Sequence, residues 1–378
     1  MVDVSEIKDQ ESFEAWLKAR PKETRQAEAI TLAHRSALRA LPVYADWAFD
    51  RSRKDDVTHG AVFRAILISA VAANVPTADI RQAAYSASAA ASTFSAASAA
   101  YSAAYSAAAA AAYPAYSAAS AAHSASASAA DSDAIWTDLR EDCRLVEVKQ
   151  NLLSHPIRHG AKDPLAEMWE EAKEAMAARQ EGWEFWIRFY EAARAGSSLN
   201  LEMLTEIATQ GNVDDEFAFW KGSDAEVNAR ISEIVEKYDL ITAGKDLLSG
   251  PLATTQSATT EHRSHNMPPE LVDTPPLVLL QTQRIREDVE AAIEELQQPE
   301  PEREELKARA RSILDALKAI GAYCAELGDA ALKESAKEVG KTGTKWAIGA
   351  GVTIYAAQTP QIQDFATRLL DLASKLVQ

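Results

Sequence analysis

Apolar residues return at three- and four-residue intervals along most of this chain, which is the periodicity of helices with one buried face. Ser12-Phe13-Glu14-Ala15-Trp16-Leu17 opens a short helix that Pro21 interrupts, because proline lacks the amide proton and crowds the turn before it. Ile30, Ala33, Ala37, Leu38 and Leu41 predict a second helix over about 23–41, with Pro42 starting the next element. Val62, Phe63, Ile66, Leu67, Ala70 and Val71 predict a strongly apolar helix that stops near Asn74. Ile135, Trp136, Leu139, Leu145, Val146 and Leu152 predict another, closed at Ser154-His155-Pro156.

Between these lies a low-complexity stretch. Residues 83–130 hold 27 Ala, 12 Ser and 5 Tyr among 48 residues. Alanine is the best helix former, and Pro114 is the segment's one strong breaker. Phe94, Tyr105 and Tyr116 are eleven residues apart, about three helical turns, so their rings line one stripe. The expectation is long, closely packed helices with a break at Pro114 rather than disorder. As one rod the segment would span about 70 Å; two antiparallel helices meeting near Tyr113-Pro114 is the compact alternative.

From Pro164 to about Thr242 the chain is rich in Trp and acids, with Trp169, Trp183, Trp186 and Trp220, and Asp224 is placed to cap a helix carrying Val227 and Ile231. Residues 243–276 read as a linker, Thr/Ser-rich with Pro268-Pro269 and Pro275-Pro276. Beyond it, Ile285, Val289, Ile293 and Leu296 form one seam, and Leu306, Ile313, Leu317, Ile320, Cys324 and Leu327 form a second, as in an antiparallel coiled-coil hairpin. Pro360 then precedes a last amphipathic helix with Phe365, Leu369 and Leu372. The expected organisation is all-α: an alanine-rich helical domain over 1–160, a Trp-rich helical domain over 161–242, a linker over 243–276, and a C-terminal hairpin with an amphipathic helix over 277–378.

Charge and cysteine content narrow the partners. The net charge is −17, the wrong sign for phosphate backbones, which select Lys and Arg. Nucleic acid and anionic membranes are therefore not expected, and a basic protein or a second copy of the chain is. No apolar run reaches the ~20 residues that span a bilayer. The acidic start, Met1-Val2-Asp3-Val4-Ser5-Glu6, lacks the apolar core of a signal peptide. Cys143 and Cys324 stand far apart, with neither disulfide nor zinc spacing, so a cytoplasmic, reducing location is expected.

Several groupings invite a chemical reading. Ser335-Ala336-Lys337-Glu338-Val339-Gly340-Lys341-Thr342 matches a phosphate-binding loop except that Ser335 replaces the first glycine. Such a loop follows a strand, and helical sequence precedes this one, so a helix end closed by Gly340 is the better reading. His155 and His159 have the four-residue spacing of metal ligands, but Pro156 separates them and no third ligand is at hand; they read as an exposed pair at a helix boundary. Asp138, Glu141 and Asp142 beside Arg140 and Arg144 read as the solvated face of an amphipathic helix. No catalytic residue, cofactor or metal site is assigned. The candidate partner-binding residues are Tyr101, Tyr105, Tyr113 and Tyr116, since tyrosine is enriched in binding surfaces. The alternative is that these rings fill gaps in an alanine-lined core.

Residues Ala29 to Gln150, about a third of the chain, resemble an alanine-rich helical family of immunity-like proteins associated with bacterial polymorphic toxins. Ala37-Leu38-Arg39-Ala40-Leu41-Pro42, the helix near Ile66, and small-small-Tyr units such as Ser98-Ala99-Ala100-Tyr101 carry the resemblance. It implies stoichiometric binding of another protein, in toxin immunity or anti-phage defence, and brings no catalytic residues with it. The expected function is thus a non-enzymatic protein-binding module. A self-assembling helical scaffold and a membrane-disrupting effector acting through the C-terminal segment are the alternatives.

Overall fold

The computed structural model describes residues 3–50, 60–75, 77, 79–80, 83, 114–128, 132–160, 163–197, 199–210, 219–220, 222–250, 252, 276–335 and 347–376. Among them the chain is all-α, with twelve α-helices and no strand. It divides into two compact units, Met1–Ile234 and Val235–Gln378.

The first unit contains α1 (Gln10–Ala19), α2 (Lys22–Phe49), α3 (Gly60–Asn74), α4 (Pro114–Ser128), α5 (Ser132–Glu147), α6 (Ala166–Ala178), α7 (Glu184–Ala195), α8 (Leu201–Thr209) and the start of α9 (Asp224–Ser249). Asp9 caps α1 by accepting from the Ser12 amide at 2.9 Å, and the helix stops two residues before Pro21. Pro42 does not start a new element. It lies inside α2, because Leu38, Leu41, Ala45 and Phe49 carry one buried stripe through it; packing offsets the hydrogen bond that proline removes. Ser223, one residue before the expected cap Asp224, caps α9, and its amide and hydroxyl meet the Glu226 carboxylate in a capping box.

Helix α4 begins at Pro114, the position where proline suits a helix start. It packs against α1, α2 and α5. Ala118, Ala119, Ala121, Ala122 and Ala125 are fully buried there, so their lack of side-chain bulk sets how near the neighbouring backbones come. Residues 84–113, which hold Tyr101, Tyr105 and Tyr113, lie outside the described residues. Ala121→Leu is expected to lower the stability of this unit by about 1–3 kcal/mol through overpacking. The exposed His123→Leu should change it by less than about 0.5 kcal/mol. Urea unfolding of both variants checks this, and equal effects would contradict the close packing of α4.

The Trp-rich segment shares this core rather than forming a domain of its own from residue 161. Trp183 meets Phe49 edge-on at 4.8 Å, and Trp186 lies 5.2 Å from Phe63. The aromatic rings therefore bury against α2 and α3. Each buried indole N–H finds an acceptor: Trp186 donates to Asn228 at 2.8 Å, Trp169 to Glu191 at 2.6 Å and Trp183 to Glu181 at 3.0 Å.

The second unit holds the end of α9, then α10 (Pro276–Leu296), α11 (Arg303–Ser335) and α12 (Ala347–Lys375). Helices α10 and α11 form the expected hairpin. Arg284 donates to Ser312 at 3.0 Å and Arg309 to Asp288 at 3.1 Å, an antiparallel register. Ile285, Val289, Ile313, Ile320, Phe365 and Leu369 build its core. Residues 243–249 do not belong to a linker but complete α9. Gly244 lets α10 come close, since a Cβ at that position would lie 2.8 Å from the end of the Ile293 side chain. Residues 253–275 lie outside the described residues. Pro360 falls inside α12 rather than ahead of it. Among the described residues, no helix is long and apolar enough to cross a membrane.

Candidate functional site

The densest polar chemistry of the first unit is built from α2, α5 and the irregular segment 148–160. Arg35 and Arg39 sit one turn apart on α2, so both guanidinium groups project from one face. Asp138 and Asp142 do the same on α5. All four side chains are buried. Arg39 donates to Asp142 at 2.6 Å, and Arg35 donates to the same carboxylate at 3.0 Å. Asp138 accepts from Arg158 at 3.0 Å and from the His159 amide at 3.0 Å.

The expectation of a solvated acidic face fails here. Asp142 faces inward because α2 presents Arg35 and Arg39 to it from more than a hundred residues away, and Asp138 because Arg158 meets it at 3.0 Å. Only Glu141 and Arg144 pair at the surface, at 2.7 Å. Nor are His155 and His159 a free exposed pair. His159 lies 2.6 Å from Asp142, and the His155 ring nitrogen Nδ1 lies 2.9 Å from the Asn151 carbonyl. Among the described residues, no group of three or more His, Cys, Asp or Glu is placed to hold a metal ion.

The arginines also hold backbone. Arg35 donates to the carbonyls of Leu152, His155 and Pro156 at 2.7, 2.8 and 2.6 Å, and Arg39 donates to that of Ile157 at 2.8 Å. These carbonyls lie outside any α-helix; that of Leu152 also accepts from the His155 amide at 3.1 Å, while those of His155, Pro156 and Ile157 take their hydrogen bonds from the guanidinium groups. Gly196 closes the other side. It ends α7 in the left-handed conformation at φ 71°, and a Cβ there would come within 2.6 Å of the Pro156 nitrogen.

Electrostatics follow from burial and pairing. Burial alone would raise the Asp142 carboxyl, but Arg39 and Arg35 hold it well below the usual carboxylate range. Burial lowers Arg35, and Asp142 opposes that shift. The Cys143 thiol next to this pair is pushed up, first by burial and then by the Asp142 charge. It is a packed, unreactive cysteine.

A cavity of about 190 Å³ opens beside the cluster, between α2, α3, α7, α8 and the segment 151–157. Leu38, Ile157, Phe189 and Leu204 supply apolar wall, and His34, Asn151 and His155 supply polar atoms. His34 Nδ1 lies 2.9 Å from Ser69 Oγ, which gives its own proton to the Ile66 carbonyl at 2.7 Å. The imidazole also hydrogen-bonds the Ile66 backbone. Burial, with the Arg35 charge adding to it, pushes His34 down to about 3, so the imidazole is neutral at pH 7.

Of the tyrosine candidates, Tyr101, Tyr105 and Tyr113 lie outside the described residues. Tyr116 is 62% exposed, so this ring does not fill the alanine-lined core. The loop-like motif is outside the described residues from Ala336 onward, while Ser335 ends α11. The inward pair Arg35 and Arg39 did leave a sequence signal: two arginines four apart amid the apolar stripe Leu32-Ala33 to Leu38-Leu41. Comparison with protein-family models, with curated proteins and with solved structures finds no match to this chain.

Proposed function

We propose that the chain is a non-enzymatic protein-binding module working in toxin immunity or anti-phage defence, with a basic protein as its partner. The observation that carries the reading is Tyr116. It is 62% exposed on a helix whose alanines are buried, which leaves a large, rigid, amphipathic ring facing outward from a fixed support. Tyrosine gives much contact area for little entropy cost. The net charge of −17 favours a basic partner by steering its approach. The immunity setting rests on the resemblance of residues 29–150 alone. The non-enzymatic part is supported by the buried ionic cluster, whose donors and acceptors hold the segment 152–159 in place.

The test is affinity purification of the tagged full chain from its native host at native expression, with mass spectrometry of what co-purifies. One basic protein near one-to-one is expected, and Tyr116→Ala should reduce its capture at least fivefold. Tyr116→Ala should leave urea stability within about 0.5 kcal/mol, as for other exposed sites. Recovery of the chain alone, or equal capture by the variant, overturns the reading.

A further inference from the structure

We draw no further inference here: the strongest candidate, the groove between the end of α2 and α6 that Asp46, Asp50 and Glu171 line around Trp47, is a cluster of acidic side chains with no second observation in the structure that points to a ligand.

Discussion

Replacing Asp142 with asparagine is expected to destabilise the first unit by about 3–5 kcal/mol, the usual cost of breaking a buried ion pair from one side. The variant removes one negative charge and leaves two buried guanidinium groups, Arg35 and Arg39, with their main counterion gone. Both are needed elsewhere, since they satisfy the carbonyls of 152, 155, 156 and 157. They cannot swing out to water without giving up those hydrogen bonds. A loss of this size is a large share of a typical domain's stability of about 5–15 kcal/mol. Glu141→Gln, one residue away, is the control: its partner Arg144 is solvent-exposed, and such pairs contribute about 0–1 kcal/mol. Seven of the eight tryptophans lie in residues 1–234, so tryptophan fluorescence during urea unfolding reports chiefly on this unit. An Asp142→Asn loss below about 1 kcal/mol would mean that the buried cluster does not hold the segment.

Acidification from pH 6.5 to 4.5 is expected to cost the first unit up to about 1.4 kcal/mol per pH unit, through one buried histidine. The unfolded imidazole takes a proton near its ordinary 6.5, whereas folded His34 does so only near 3. Above pH 6.5 both states are neutral there and stability is complete. Below it the unfolded chain binds a proton that the folded chain refuses, so stability falls until about pH 3. Burial sets this sign and Arg35 reinforces it by repelling a second positive charge, while the hydrogen bond to the Ile66 backbone opposes it without overcoming it. Asp142 acts in a lower window: its depressed carboxyl contributes stability above the ordinary 3.8, which is lost as pH falls below that value. Urea midpoints at pH 7.5, 6.5, 5.5 and 4.5 separate the two, because most carboxylates are still ionised across that range. His34→Phe should flatten the slope between 6.5 and 4.5. A flat wild-type profile, or a slope unchanged in His34→Phe, would show that His34 is not held neutral.

Both effects rest on residues that the sequence pattern treats as ordinary. Asp138 and Asp142 look the same as Glu141 on a helical wheel of charges, and His34 looks like one more residue of an alanine-rich helix. Burial of a charge is decided by what faces it, and what faces Asp142 is supplied by α2, 103 and 107 residues away in sequence. Arg35 and Arg39 are the legible half of the pair, since a polar doublet at helical spacing inside an apolar stripe must either break the stripe or be paired.

Local sequence by itself determined where most helices lie. Backbone hydrogen bonds of a helix close within one segment, so the apolar periodicity of 62–71 marks α3, and Pro21 and Asn74 mark ends. The all-α class and the seam of the C-terminal hairpin followed from the same periodicity. Only tertiary packing decided that α2 runs through Pro42, because a continuous buried stripe outweighs one lost hydrogen bond. Packing also placed the Trp-rich helices in the same core as α2 and α3, since large rings bury against whatever apolar face is within reach. It turned Tyr116 outward and Asp142 inward. Such choices depend on partners distant in the chain, and the burial of each side chain is a property of the assembled core rather than of its own helix.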